Sequence, residues 1–223
     1  MCLSETWLNS SVSSSEICSN NYTVFRDDRN VDTGRIKGGG TLIAINNELK
    51  SHILDLSTVT LSVSLVDLVG CKIILSRTSL FIFCVYIPPD ISVEDFEMFC
   101  DSFEHYLINL NGTVIIVGDF NVPNLVKDCR DRKSTIIRNL MTYTNLKQAN
   151  TIVNSNDRIL DLVIHSEINC AVYRDFSPLV PEDPHHPSLS VECQLNIEKV
   201  SNFSACSTLK QYNFKKANLI ELY

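Results

Sequence analysis

Four short apolar runs constrain this chain more than any other feature: TLIAI at 41–45, KIIL at 72–75, LFIFCVYI at 80–87 and TVIIVGDF at 113–120. Each is rich in β-branched or aromatic residues and is bounded by turn formers, so each predicts a strand. Apolarity this continuous suits strands covered on both faces, by helices or by another sheet. ILDLVIHS (159–166) and SLSVECQL (188–195) close the set. Helical patterns lie between. In SVEDFEMFCDSFEHYLINL (92–110), Phe96, Phe99, Phe103, Tyr106, Leu107 and Leu110 share one stripe and Ser92 is placed to cap it. In DRKSTIIRNLMTYTNL (131–146), Ile136, Ile137, Leu140, Met141 and Tyr143 recur at similar spacing. The expectation is a strand-rich α/β chain of one domain, without internal repeats.

At 223 residues and 44% hydrophobic content the chain can bury a full core. A net charge of −7 opposes non-specific DNA binding through a uniformly basic surface. It leaves room for a hydrolase with acidic metal ligands in its cleft and basic residues on its rim. Lys127, Arg130, Arg132 and Lys133 form one basic patch, which reads first as a solvated helix start and second as a grip on a DNA backbone. Nine scattered cysteines, with no C-x-x-C pair and no zinc spacing, predict reduced thiols and an intracellular chain. No apolar run approaches the roughly 20 residues that span a bilayer.

Chemistry-bearing residues sit at the ends of the apolar runs. In VIIVGDFN (114–121) a strand delivers Asp119 and Asn121. Residues at i and i+2 of an extended segment point the same way, so the two can address one bound group. A carboxylate beside an amide suits a water or phosphate oxygen near a hard cation; taken alone, the segment reads first as a Gly-Asp-x-Asn turn ending a strand. Glu5, in SETWL, is a candidate magnesium ligand or simply a strand-end glutamate. Tyr86, before Pro88-Pro89, can hydrogen-bond a phosphate or cap the core with its hydroxyl in water. Asp161 lies within an apolar strand, where a charge needs a partner such as a histidine. PEDPHHPSL (181–189) supplies His185 and His186, suited to proton transfer at neutral pH, with Asp183 just upstream; on local sequence it is equally a proline-stiffened surface loop with two solvated histidines.

The order of these motifs is what resembles a known family. Glu in ETWL, then V-Y-x-P-P, G-D-F-N, L-D-L-V and a histidine-proline motif is similar to the endonuclease/exonuclease/phosphatase family. The likeness is to the endonuclease domains of non-LTR, jockey-like retrotransposons, and extends to KGGGTLIAI (37–45) and YNFKKAN (212–218). It implies a deoxyribonuclease I-like two-sheet α/β sandwich with outer helices, lacking its first strand here. Residues 1–197 would form that domain, truncated at its N-terminus, and 198–223 a linker toward a downstream region. The implied activity is hydrolysis of a DNA phosphodiester with Mg2+, or Mn2+ in its place. Glu5 would hold the metal, with Asp183 as a second candidate ligand. Asp119 would position or deprotonate the attacking water, Asn121 and Tyr86 would contact the phosphate, and Asp161 would orient the catalytic histidine.

Two departures from the family pattern bear on that activity. The first-strand asparagine is not in the chain, and the aspartate that directly precedes the family's histidine is absent. If His185 is the base, Pro184 takes the place of that aspartate; if His186 is, His185 does. The expected partners are DNA and, for a polyprotein fragment, its reverse transcriptase region; no membrane is expected, and the nucleus is the expected point of action. The alternative is a non-catalytic or domesticated derivative that keeps the fold as a DNA- or protein-binding module.

Overall fold

The structure, a computed structural model, describes residues 1–28, 38–60, 65–125, 130–166, 168–178 and 182–195. Lys127 and the expected linker at 198–223 lie outside the described residues. In chain order the elements are β1 (Cys2–Ser4), α1 (Ser14–Ile17), β2 (Tyr22–Asp27), β3 (Thr41–Asn46), β4 (Ser51–Ile53), α2 (Ser57–Thr60), β5 (Asp67–Ile74), β6 (Ser79–Tyr86), α3 (Val93–Leu107), β7 (Thr113–Asp119), α4 (Arg132–Tyr143), β8 (Lys147–Gln148), β9 (Asp161–His165), β10 (Asn169–Arg174) and β11 (Leu189–Gln194).

The apolar runs build a six-stranded sheet in the order β4-β5-β6-β7-β9-β8. Only β6 and β7 pair in parallel, with α3 as the crossover between them. The other layer comes in two pieces, a three-stranded sheet β1-β3-β2 and the hairpin β10-β11. Among the described residues no strand joins the edge of β1 to the edge of β11. The molecule is thus a two-layer sandwich with α3 and α4 outside. No helix among the described residues is long and apolar enough to cross a membrane.

Alternation along the central strands divides the core. Phe81, Phe83, Val85, Val114, Ile116, Leu162 and Ile164 face the helices. Val69, Cys71, Ile73, Cys84 and Ile115 face the second layer and meet Ile43 and Ile45 of β3. Both faces being covered explains why these strands read as unbroken apolar runs. On α3 the expected stripe is buried: Phe96, Phe99 and Phe103 are almost fully enclosed, and Phe103 meets Phe83 edge to face at 5.3 Å. Ser92 caps the helix by accepting the Asp95 amide at 3.0 Å.

One expectation needs correction. Tyr143, counted with the buried stripe of α4, is its last residue and is 70% exposed. Arg132 and Lys133 stand at the start of α4, where a solvated helix start was expected. Arg132 pairs with Glu94 and Glu97 of α3, and the Lys133 ammonium lies over the Phe96 ring. The residues ahead of Glu5 form a strand, Cys2–Ser4, paired with Thr41–Ile43.

Candidate active site

Strand register places four polar side chains in one row across the six-stranded sheet. Asp67 stands opposite Tyr86, Tyr86 opposite Asp119, and Asp119 opposite Asp161. Residues opposite one another share a face. This is the inner face, since Val69 on β5, Cys84 on β6 and Ile115 on β7 share it with them and face the second layer. The row therefore ends the inter-layer core with acids and a phenol where apolar side chains stop.

Gly118 makes that end of β7. It adopts φ +139, and an added Cβ would overlap the Val85 carbonyl of the neighbouring strand. Beyond it, Asp119 is 2% exposed. Asn121 reaches the same carboxylate, although not by extended alternation: its φ is +50, in the left-handed region. Its backbone amide donates to Asp119 Oδ1 at 3.0 Å, and its Nδ2 donates to Asp119 Oδ2 at 2.7 Å and to the Ile87 carbonyl at 2.8 Å. Both side-chain hydrogens are engaged. In this arrangement Asn121 orients Asp119 and has no donor left for the phosphate contact expected of it.

The second layer supplies Glu5. After β1 the chain passes through left-handed backbone at Glu5 (φ +53) and Trp7 (φ +56). It is pinned there by Thr6 N donating to Gly40 O and Trp7 N to Gly39 O. The Glu5 carboxylate accepts the Tyr86 hydroxyl. Gly38 closes against this pair, its Cβ position lying 3.4 Å from Glu5 Oε1 and 3.6 Å from Tyr86 Oη.

The loop between β10 and β11 presents the two histidines differently. His186 turns inward, with Nδ1 at 3.1 Å from Asp161 Oδ2 and Nε2 at 3.9 Å from Asp119 Oδ2. His185 is exposed and its ring meets the Asn156 side chain. The two alternatives for the histidine are therefore spatially distinct, and His186 is the one beside the acids. Asp183 is exposed, accepts the His185 amide at 2.7 Å, and shapes the turn. Among the described residues the compact metal-competent group is Asp119, Asp161 and His186, and it does not include Asp183.

The electrostatics follow from crowding carboxylates in a dry corner. Burial, then the Asp161 charge, pushes Asp119 up to about 7; His186 and the Asn121 amide act against this, and Glu5 adds to it. The hydrogen bond that His186 Nδ1 donates to Asp161 is the first cause of His186 being pushed up to about 9, with the Asp161, Asp119 and Glu5 charges adding to it against burial. Three carboxylates thus face one imidazolium. A hard divalent cation fits this donor set, because it would offset the surplus negative charge that drives Asp119 toward protonation.

Residues 80–180 match the family described as endonuclease-reverse transcriptase. The endonuclease domain of TRAS1, a telomere-specific non-LTR retrotransposon, superposes with a TM-score of 0.59 at 16% identity, over 79% of this chain and 82% of that one. The chain carries the endonuclease/exonuclease/phosphatase fold. Human Nocturnin, solved as its catalytic domain with bound sulfate, is similar at a TM-score of 0.57 and 14% identity, over 86% and 78% of the two chains. D. rerio TDP2 complexed with a single-strand DNA product gives 0.51 and 13%, over 86% and 83%. No curated protein sequence matches the chain.

Within this endonuclease/exonuclease/phosphatase fold, Glu5, Tyr86, Asp119, Asn121, Asp161 and His186 converge from segments far apart in the chain; His185 and Asp183 stand outside the cluster. Sequence reasoning passed over Asp67 and Asn154. Asp67 carries a faint signal, a lone acid opening the apolar run DLVGCKII. Asn154 carries none, because it sits in a polar loop among other asparagines.

Proposed function

We propose that the chain is a divalent-cation-dependent DNA endonuclease domain of the non-LTR retrotransposon kind, hydrolysing a phosphodiester to leave a 3′-hydroxyl that can serve as a primer. The observation carrying this reading is the register row Tyr86–Asp119–Asp161 capped from the other layer by Glu5 and His186. Glu5 would hold Mg2+ or Mn2+, beside the carboxylates of Asp119 and Asp161. Once bound, that ion supplies Lewis-acid stabilisation of the charge growing on the phosphorane-like transition state.

The chain's own residues do the rest. Asp119, buried and held by Asn121, would position the attacking water or take its proton. Asn121 fixes the carboxylate that does so. Asp161 holds Nδ1 of His186, which leaves Nε2 to face the scissile group; as an imidazolium it donates to a phosphate oxygen. Tyr86 keeps Glu5 in place at the edge of the cleft. DNA is the substrate in this reading, the nucleus is the point of action, and residues 1–197 act beside the reverse transcriptase region of the same polyprotein.

The deciding experiment is nicking of supercoiled plasmid by purified protein with Mg2+. Asp119→Ala and His186→Ala should abolish nicking and His185→Ala should keep it; cleavage that survives in Asp119→Ala would overturn the reading. A second reading, a non-catalytic module keeping the fold to bind DNA or protein, is favoured by one observation. The residue directly before His186 is His185, whose ring points to Asn156 and adds no ligand to the cluster. Binding without any cation-dependent cleavage would select it.

A further inference from the structure

The same end of the molecule holds a side chain that the chemistry above does not use. Asp67 opens β5 as the outermost member of the polar row, opposite Tyr86. Its Oδ2 accepts the backbone amide of Gly40 at 3.0 Å. Gly40 is the last of three consecutive glycines with φ between +81 and +88, a path that side chains rarely adopt. That turn in turn holds Thr6 through Gly40 O at 3.1 Å and Trp7 through Gly39 O at 2.9 Å.

Glu5 thus lies in a short segment whose left-handed backbone is fixed from outside. Conformations of this kind persist only where the surroundings over-determine them. The bonds that fix it run back to Asp67. Asp27 braces the same corner, accepting the Leu68 amide at 3.0 Å from the strand residue opposite Thr41. The connections close a ring: Asp67 to Gly40, Gly40 to Thr6, Glu5 to Tyr86, and Tyr86 beside Asp67 in register.

We propose that Asp67 is a positioning residue for Glu5: by accepting the Gly40 amide it sets the Gly38–Gly40 turn, and that turn sets the Glu5 carboxylate against Tyr86. Its consequence for cation binding rests on Glu5 being a cation ligand, as read above; the mechanical link does not.

Trp7 is the only tryptophan in the chain, so its fluorescence reports on this segment without a label. In the full chain, Asp67→Ala should lower the anisotropy of Trp7 and raise its quenching by acrylamide while unfolding stays cooperative. Asp67→Asn keeps an acceptor oxygen for the Gly40 amide and should behave as wild type. Asp67→Val, a good strand former without an acceptor, gives the same comparison if the alanine variant does not fold. Binding of Mn2+ alone, followed by electron paramagnetic resonance, should weaken about tenfold in Asp67→Ala, the scale of an outer residue that orients a ligand. Glu5→Gln should weaken it too, and Asp67→Asn should restore it. Unchanged Trp7 anisotropy and quenching in both acceptor-free variants would overturn the proposal. Loosened Trp7 with Mn2+ binding untouched by Glu5→Gln would uphold the positioning link and sink the reading of Glu5 as a ligand.

Discussion

Asp119 and Asp161 stand directly opposite one another on β7 and β9, and His186 bridges them with Nδ1 3.1 Å from one and Nε2 3.9 Å from the other. The hydrogen bond that Asp161 accepts from His186 Nδ1 is what chiefly lifts His186 to about 9. Asp161→Asn keeps the shape and removes the charge. His186 should then titrate closer to its ordinary value, as read from its ring-proton shifts by NMR. Nicking should fall by roughly 100-fold, the lower end of what a positioned acid–base group supplies. A variant with an unmoved histidine titration would show that Asp161 does not orient the ring.

The two raised groups of the site fix the sign of its pH dependence. His186 is raised in the folded state, so its stabilising contribution is complete below its ordinary value of 6.5 and is lost as pH rises through about 9. Asp119 is also raised, from 3.8 to about 7, so the folded state again holds its proton more tightly than the unfolded chain. Its contribution is complete below about 4 and disappears by about 7. Both make the cation-free protein less stable as pH rises. The thermal midpoint without divalent ions should therefore decline between pH 5 and pH 9, as followed by calorimetry. Mg2+ should recover most stability above pH 7, where Asp119 is ionised. Asp119→Asn should shrink the part of the decline below pH 7, leaving the share of Asp27, which burial pushes up to about 6.

Much of this was legible in the sequence where burial and periodicity speak together. The central strands announce themselves because both faces are covered, and α3 because one face is. Short, half-exposed elements gave no such signal: β2 (YTVFRD) and β4 (SHI) owe their place to pairing with longer neighbours. The site residues were visible one at a time, but not their row, since register across four strands is a tertiary fact. The choice between His185 and His186 also waited on the structure, because adjacent residues differ only in which way the turn aims them. The engaged amide of Asn121 was out of reach for the same reason.

Gly118 shows how closely the strand pairing constrains the motif. At φ +139, with the Val85 carbonyl occupying the space of a Cβ, Gly118→Ala has to shift backbone on β6 or β7. Both strands are central and β6 also carries Tyr86. A cost of at least about 3 kcal/mol is expected, in the range of strained-backbone and overpacking changes. Urea unfolding should show a lower midpoint, and nicking should be lost even where the protein still folds, because Asp119 follows directly. Wild-type stability in this variant would mean that β7 does not kink at Gly118.

The last prediction concerns the wall behind the histidine. Asn154 is 7% exposed and its side chain makes three hydrogen bonds. Its Oδ1 accepts the amides of Asn156 and Arg158 at 2.9 and 3.1 Å, and its Nδ2 donates to the His185 carbonyl at 3.1 Å. The loop ahead of β9 is thereby fastened to the residue preceding His186, with Ser155 N adding a bond to Pro184 O. Asn154→Ala strands two amides and frees the histidine turn, at a cost of about 1–3 kcal/mol. Asn154→Asp keeps the acceptor and loses only the donor, so it should fall between alanine and wild type in stability. Activity separates the two effects: if the bond to His185 is what holds His186 in line, both variants should lose nicking to a similar degree. If instead the aspartate variant cleaves like wild type, the loop is held by its internal turn and the histidine is positioned by Asp161 alone.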